Sequence, residues 1–141
     1  MKINLGCATY GRSFKLKDPS QHGLTAPAAG NGRPGPLLNK AGKLPYFEIC
    51  SMPWTNVVPY QTSAVKAPYA SNGDLWVAYE SPASLAYKVD QVVNKFVSEG
   101  VESGGVGGIS FWELGLDDFI NYCNNKRGHY PLIRSAVMAM D

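Results

Sequence analysis

Long apolar runs are absent from this sequence of 141 residues, and their absence limits the classes of protein it can belong to. A membrane-spanning helix needs about 20 consecutive apolar residues, and no segment approaches that length. The first residues, MKINLGCATYG, are interrupted by Asn4 and Gly6 and are too short for the ~7–15-residue apolar region of a signal peptide. Two expectations follow: either the protein is cytosolic, or the sequence lacks its native N-terminus.

A large excess of one charge is also absent. The chain has 13 basic and 11 acidic residues, which gives a net charge of +2. A balance this close to neutral does not predict a nucleic-acid partner or an anionic membrane surface. Since 45% of the residues are hydrophobic and 17% are charged, the composition is that of a globular domain.

Motifs for metals and common cofactors are missing as well. The three cysteines, Cys7, Cys50 and Cys123, follow no zinc-binding spacing and include no C-x-x-C. An odd number allows at most one disulfide within the chain, and the spacing leaves the choice of pair open. His22 and His129 lie in polar turns, and no Walker loop, zincin helix, nucleophile elbow or dinucleotide fingerprint is present. We therefore predict neither a metal nor a cofactor.

Apolar strands are predicted near both ends of the chain. Residues 2–9 (KINLGCAT) are mostly apolar, as in a strand covered on both faces, and GISFW at 108–112 has the same character. A helix from about Pro82 to Glu99 precedes the second strand, with Ser81 as its N-cap and an apolar residue every three or four positions. Another helix is predicted from Pro131 to about Met140. This alternation indicates a β/α arrangement.

The middle of the chain has a different composition. Residues 15–43 are rich in Gly, Pro, Asn and Ser and are predicted to be irregular, although a loop of that length in a compact domain usually has a function. The segment YFEICSMPW has strand propensity, and Asn72-Gly73 between AVKAPYA and LWVAYE predicts a hairpin. The sequence thus predicts an α+β insertion within the β/α piece.

Three residues lie at the end of a predicted strand or just after it, at positions suited to ligand binding. In β/α folds ligands bind at the carboxyl ends of the strands, where Trp112 ends one strand and Tyr10 and Arg12 follow the other. An aromatic face can stack on a sugar, and phenol and guanidinium groups donate hydrogen bonds. The alternatives remain open: a core tryptophan, a loop tyrosine and a surface arginine.

Carboxylates in the sequence allow several interpretations. Glu48 alternates with apolar neighbours in PYFEIC, so it either accepts hydrogen bonds from a sugar hydroxyl or lies exposed on a strand. Asp117 and Asp118 resemble a catalytic pair, but adjacent residues rarely face each other, and LDDF is more typical of a helix N-cap. Glu113 has no assigned role.

Five segments in this order resemble the chitinases and chitinase-like lectins of glycoside hydrolase family 18. They are LGCATYGRSFKLKDPSQHGLTAPAAGNGRPGP, PYFEIC, LWVAYESPASLAYKV, GGISFWELGLDDF and YCNNKRGHYPLI, and they cover nearly the whole chain. The resemblance implies an α/β fold, the C-terminal part of a (β/α)8 TIM barrel that carries an α+β insertion domain. It assigns 1–13 to barrel strand seven, 14–79 to the insertion domain, and 80–141 to helix seven, strand eight and the last helix.

The resemblance also implies roles for individual residues and a partner. Trp112 matches the tryptophan that forms the floor of the sugar site, and Tyr10 and Arg12 match residues that line the cleft. Glu48 matches the insertion-domain glutamate that reaches the substrate. The implied substrate is chitin or chitooligosaccharide, a β-1,4-linked N-acetylglucosamine polymer.

A disulfide is implied by the same resemblance. Cys50 and Cys123 match the pair that joins the insertion domain to the segment after strand eight, and Cys7 would remain a free buried thiol. A disulfide and this family together imply an extracellular protein.

The sequence departs from the family pattern in its catalytic residues. The D-x-x-D-x-D-x-E signature and the Met-x-Tyr-Asp motif are absent. In the family mechanism that glutamate is the acid and the substrate's own N-acetyl group is the nucleophile. Ser110, Gly115 and Phe47 replace the usual Met, Asp and Tyr.

Three hypotheses about the protein follow. Two strands cannot close a barrel, so the chain needs six more strands from a longer parent chain or a partner. The parent is then a secreted chitinase, or alternatively a non-catalytic lectin that binds chitooligosaccharides, or else the chain is a non-functional fragment. The chain by itself is expected to be inactive.

Overall fold

Two separate β-sheets organise the chain. The computed structural model describes residues 3–94, 106–124, 126 and 128–140. The strands are β1 (Ile3–Ala8), β2 (Tyr10–Leu16), β3 (Ala28–Asn31), β4 (Lys43–Pro45), β5 (Asn56–Val58), β6 (Tyr69–Asn72), β7 (Leu75–Ala78) and β8 (Val106–Trp112). The helices are α1 (Tyr46–Ile49), α2 (Pro82–Val89, continued by a π-helical turn at Asp90–Asn94) and α3 (Pro131–Met138), with a 3-10 turn at Leu114–Leu116.

The first sheet consists of β1 and β8, which are parallel and pair from Ile3↔Val106 to Ala8↔Trp112. Successive side chains of a strand point to opposite faces. One face of this sheet packs on α2 and α3 in a core that contains Cys7, Leu85, Val89, Leu132 and Ala136, with Leu5, Ile109 and Phe111 against it. The two helices therefore cover one side of the strand pair, as in a β/α fold.

The other face of the first sheet is uncovered in the described part of the chain. It carries Asn4, Gly6, Ser110 and Trp112, all of them exposed. Apart from Trp112 its residues are small or polar, because most apolar residues of both strands lie on the helix side.

The second sheet is antiparallel and has six strands, in the order β3-β2-β7-β6-β5 with β4 also paired to β2. Its core lies on one face and contains Leu44, Ile49, Ala70, Leu75 and Val77. Gly11 of β2 lies on that face, and a Cβ there would come within 2.6–2.8 Å of Val77, Ile49 and the Ala78 carbonyl. Only glycine permits this close approach of the strand to the core.

Several sequence predictions are confirmed and others are wrong. The hairpin at Asn72-Gly73 forms, with β6 paired to β7 and Gly73 at φ 58°. Ser81 caps α2 in a capping box with Ser84. The predicted end of that helix near Glu99 lies outside the described residues. The segment 15–43 is not wholly irregular, since it contains the end of β2, all of β3 and the start of β4.

The PYFEIC segment forms the short helix α1 and not a strand. Pro45 precedes the helix in an extended conformation, and the Cys50 N–H donates a hydrogen bond to the Tyr46 carbonyl at 3.0 Å. The predicted domain division remains a prediction, and β2 runs across its first boundary, between residues 13 and 14.

Asp117 caps α3 across 15 residues of sequence. Its carboxylate accepts N–H groups from Leu132 at 3.4 Å and Ile133 at 3.1 Å, and also from Asp118 at 2.8 Å. Tyr130, the residue before α3, has a left-handed backbone conformation, and its side chain does not cap the helix. Burial raises the pKa of Asp117, even though the backbone donors act in the opposite direction. The helix N-cap predicted at LDDF itself is wrong, because a turn and not a helix follows Asp118. Asp117 caps the distant helix α3 instead.

A disulfide joins Cys50 to Cys123, as the family resemblance implied, and closes a separation of 73 residues. Constraining a loop of this length stabilises the fold by about 3–5 kcal/mol in the chain-entropy account. Asp118 supports the second cysteine by accepting hydrogen bonds from the Tyr122 N–H at 2.6 Å and the Cys123 N–H at 3.1 Å.

Cys7 is free and buried, and burial raises its pKa to about 11, so it is no nucleophile at neutral pH.

We expect Asp117→Ala to lower the free energy of unfolding by about 1–3 kcal/mol, because buried N–H groups of α3 lose their acceptor. The measurement is urea unfolding followed by far-UV circular dichroism. Asp18→Asn is the control, since Asp18 accepts its hydrogen bonds in an exposed turn. Equal effects of the two substitutions would contradict the capping role.

Candidate functional site

A cavity of about 320 Å³ opens where β1 and β8 end. It is lined by Gly6, Cys7, Ala8, Tyr10, Ser110, Phe111 and Trp112. Because β1 and β8 are parallel, their carboxyl ends meet at one edge, which is where ligands bind in β/α folds. The structure thus brings together two of the predicted site residues, Tyr10 and Trp112, which are about a hundred residues apart in sequence.

Trp112 is the most exposed large side chain of this cavity. The residue is 69% exposed at the last position of β8. Its neighbours on the same face, Ala8 and Ser110, are small and leave the indole uncovered. The peptide bond between Trp112 and Glu113 is cis. The described part of the chain does not bury the indole, which presents an exposed flat face beside the cavity.

Tyr10 is held by two cations. The Arg12 guanidinium carbon lies 5.3 Å and the Lys43 ammonium 4.4 Å from the centre of the Tyr10 ring. Arg12 and Lys43 are directly paired across β2 and β4, so both side chains reach the same ring. A cation over an aromatic face contributes about 0.5–1 kcal/mol at exposed sites and more when it is desolvated. The ring is therefore fixed in the wall of the cavity.

Lys43 was missed by sequence reasoning, which assigned its segment to an irregular region. Its side chain is only 15% exposed, and the ammonium lies 4.0 Å from the Glu113 carboxylate. This pair spans the two sheets and gives Glu113 the partner that the sequence did not indicate. At this distance the ion pair is weak, and its main effect is to keep Lys43 over Tyr10.

Thr9, between β1 and β2, was also missed. It is completely buried. Its N–H donates to the Trp112 carbonyl at 3.2 Å, its hydroxyl to the Glu113 carbonyl at 2.5 Å, and its carbonyl accepts the Tyr46 N–H at 3.1 Å. One residue thus joins the end of β8 to the start of α1. The local sequence gives one indication of this role: Thr9 is polar and directly follows the mostly apolar residues of β1.

Glu48 does not line this cavity. It is 1% exposed, and its Oε1 accepts the Leu37 N–H at 2.5 Å and the Leu38 N–H at 2.9 Å. Its Oε2 has no hydrogen-bond partner within the described residues. In this structure Glu48 holds the loop that precedes β4. Its contact with a substrate stays a prediction.

Other groups of possible chemical use lie outside the cavity. Cys50, Asp118 and Cys123 place possible metal ligands within 4.8 Å of one another, but the two sulfurs form the disulfide and cannot bind a metal. His129 is exposed, and its Nδ1 lies 2.8 Å from the Phe119 carbonyl. The cavity itself offers an indole and a phenol ring backed by cations, which suits a neutral polar ligand with apolar faces.

The chain matches the family model for glycosyl hydrolases family 18 over residues 1–117. It is 39% identical to chitotriosidase-1 of Mus musculus over 135 residues, which are 95% of this chain and 26% of that protein. It is 33% identical to chitinase-3-like protein 2 of Homo sapiens over 140 residues, which are 99% of this chain and 33% of that protein. The chain thus spans a quarter to a third of the length of these relatives.

Solved structures resemble the same region. Human YKL-39, described as a pseudo-chitinase with retained chitooligosaccharide binding properties, aligns with a TM-score of 0.80 and 31% identity, covering 98% of this chain and 35% of that one. The group IV chitinase of Ostrinia furnacalis aligns with a TM-score of 0.81 and 29% identity, covering 97% and 34%. Among the described residues no helix has both the length and the apolar character needed to cross a membrane.

We expect Thr9→Val, which removes the hydroxyl but keeps the shape, to lower the free energy of unfolding by about 0.5–1.5 kcal/mol. In a Trp54→Phe, Trp76→Phe background, where Trp112 is the one tryptophan, it should also change the near-ultraviolet circular dichroism of the indole, because the backbone that carries it loses an anchor. Thr9→Ser keeps the donor and is the matched control. If Thr9→Val and Thr9→Ser gave the same Trp112 signal, the hydroxyl would not position the indole.

Proposed function

This chain belongs to glycosyl hydrolase family 18, and on that premise we propose that it supplies substrate-binding residues to a chitin-degrading enzyme. The observation that carries the proposal is the cavity at the carboxyl ends of β1 and β8, where Trp112 and Tyr10 line one space. The proposed ligand is a polymer of β-1,4-linked N-acetylglucosamine.

Each side of the cavity has a role in the proposal. The exposed face of Trp112 stacks on the apolar face of a sugar ring, for which a rigid flat surface is suited. The Tyr10 hydroxyl and the Arg12 guanidinium donate hydrogen bonds to oxygens of the ligand. Lys43 and Thr9 do not touch the ligand in this scheme but hold Tyr10 and Trp112 in place.

The proposal requires six further barrel strands, from a longer chain or from a partner. Parallel strands in β/α folds are buried on both faces, and closing a barrel requires more than two of them. In the first sheet β1 pairs only with β8 among the described strands, so each leaves one edge open. The remaining strands supply the D-x-x-D-x-D-x-E motif, whose glutamate is the acid, while the substrate's N-acetyl group is the nucleophile.

We also propose an extracellular location, because disulfides persist in oxidising compartments.

The coding sequence upstream of Met1 tests the enzyme proposal directly. We expect an open frame that encodes six more strands and the D-x-x-D-x-D-x-E motif. The complete protein should then release the fluorophore from 4-methylumbelliferyl chitobioside, and residues 1–141 alone should not. A stop codon immediately upstream of Met1, together with the lack of a partner chain, would show that the chain is not part of a barrel enzyme.

A lectin is the second candidate, favoured by the likeness to a pseudo-chitinase that retains chitooligosaccharide binding. In a lectin Trp112 and Tyr10 of the cavity and the neighbouring Arg12 would remain, and the catalytic acid would be replaced. A complete protein that binds chitooligosaccharide but lacks the catalytic glutamate and shows no turnover would establish this alternative. The two candidates therefore share the binding site and differ in the proton donor.

Trp112→Ala in the complete protein should weaken the binding of chitotetraose by about 1–3 kcal/mol, by analogy with base–aromatic stacking. The measurement is isothermal titration calorimetry. Tyr122→Ala is the control, since Tyr122 is an exposed aromatic residue that does not line the cavity. If Trp112→Ala left the affinity unchanged, the stacking role would be wrong.

A further inference from the structure

A second groove lies on the face of the six-stranded sheet that faces away from its core. Its volume is about 260 Å³, and it is lined by Phe14, Leu16, Gly23, Leu24, Ala26, Ala28 and Trp76. The core residues Leu75 and Val77 alternate with Trp76 along β7, so the groove is separate from the core. It belongs neither to the cavity at Trp112 nor to any role assigned above.

The groove lies on the same face of β2 as Tyr10 and Arg12. Residues at i, i+2 and i+4 of a strand share a face, so Tyr10, Arg12 and Phe14 lie in one row along β2. Phe14 is directly paired with Trp76 on β7. At ~3.3 Å per residue, Tyr10 and Phe14 are about 13 Å apart along the strand. This distance is more than one sugar unit spans.

Aromatic rings form the accessible side of the groove. The Phe14 and Trp76 ring centres are 6.1 Å apart at an interplanar angle of 49°, and Tyr69 packs on the other side of Trp76 at 5.5 Å. The Trp76 indole N–H donates to the His22 carbonyl at 3.2 Å, which ties the 17–27 loop to the sheet and fixes the ring. Phe14 is 39% exposed, so an apolar ring stands open beside the groove.

Arg12 lies between the cavity and the groove. It is exposed and forms no ion pair with any residue that the structure describes. Guanidinium N–H groups donate to carbonyl and hydroxyl oxygens. A ligand that leaves the cavity along β2 would meet these donors first and the apolar groove second.

From this placement we propose that the Phe14–Trp76 groove is a second carbohydrate subsite, which takes an N-acetylglucosamine unit remote from the one on Trp112. The apolar lining accommodates the acetamido methyl group and the apolar ring face, and Arg12 contacts oxygens of the units between. The inference rests on the proposed function, because it extends that ligand along the same wall. It makes affinity depend on the length of the oligosaccharide.

The test compares chitobiose with chitohexaose by isothermal titration calorimetry on the complete protein. Phe14→Ala should weaken chitohexaose binding by about five- to a hundredfold, the size expected of a lost aromatic stack, and leave chitobiose binding unchanged. Phe14→Tyr keeps the ring and should bind both as the wild type does. Val57→Ala is the matched control, because Val57 is exposed on the opposite face of the same sheet.

The unchanged affinity for chitobiose also reports that Phe14→Ala has folded. If Phe14→Ala altered neither affinity, or lowered both equally, the subsite would be refuted. Loss of chitohexaose affinity in Val57→Ala would refute it too, since the effect would then not be specific to the groove. Failure of the proposed function gives a different result, in which Trp112→Ala leaves chitobiose binding unchanged.

Discussion

The parallel pairing of β1 with β8 is the constraint on which the arrangement depends. The two strands are distant in sequence, and a parallel pair requires a long crossover connection. Their pairing brings the end of β8, with Trp112, beside the end of β1, which leads directly into Tyr10. It also creates one apolar face, and α2 and α3 exist as packed helices because they cover it. The cavity is a consequence of strand pairing, since neither strand forms it alone.

The two sheets are joined at that cavity by few but specific contacts. Thr9 contributes three hydrogen bonds at the junction, to Trp112, Glu113 and Tyr46. Lys43 crosses the same junction from β4, with its ammonium over Tyr10 and near Glu113. The residues that contact a ligand in our proposal are therefore supported by residues that do not. A change in the junction would alter the distance between the Trp112 platform and the Tyr10 wall.

Carboxylates in this chain serve mainly structural roles. Asp117 replaces the missing cap of α3, and Asp118 orders the turn that carries Cys123. Glu48 holds backbone N–H groups of the loop before β4. A buried carboxylate is tolerated when backbone donors satisfy it, and each of these accepts at least two such donors. Together with the Cys50–Cys123 disulfide they secure the segments around the cavity.

The sequence by itself determined the local features. Periodicity predicted the two apolar strands and α2, Asn72-Gly73 predicted the hairpin, and the order of motifs indicated the family and two of the residues that meet at the cavity. Local patterns carry this information because neighbouring residues set backbone conformation and the buried face. Only the tertiary structure decided the helix at PYFEIC, the burial of Glu48, and the partners of Thr9, Lys43 and Asp117. Those outcomes depend on contacts between residues far apart in the chain, and such contacts leave no periodic signal in the sequence.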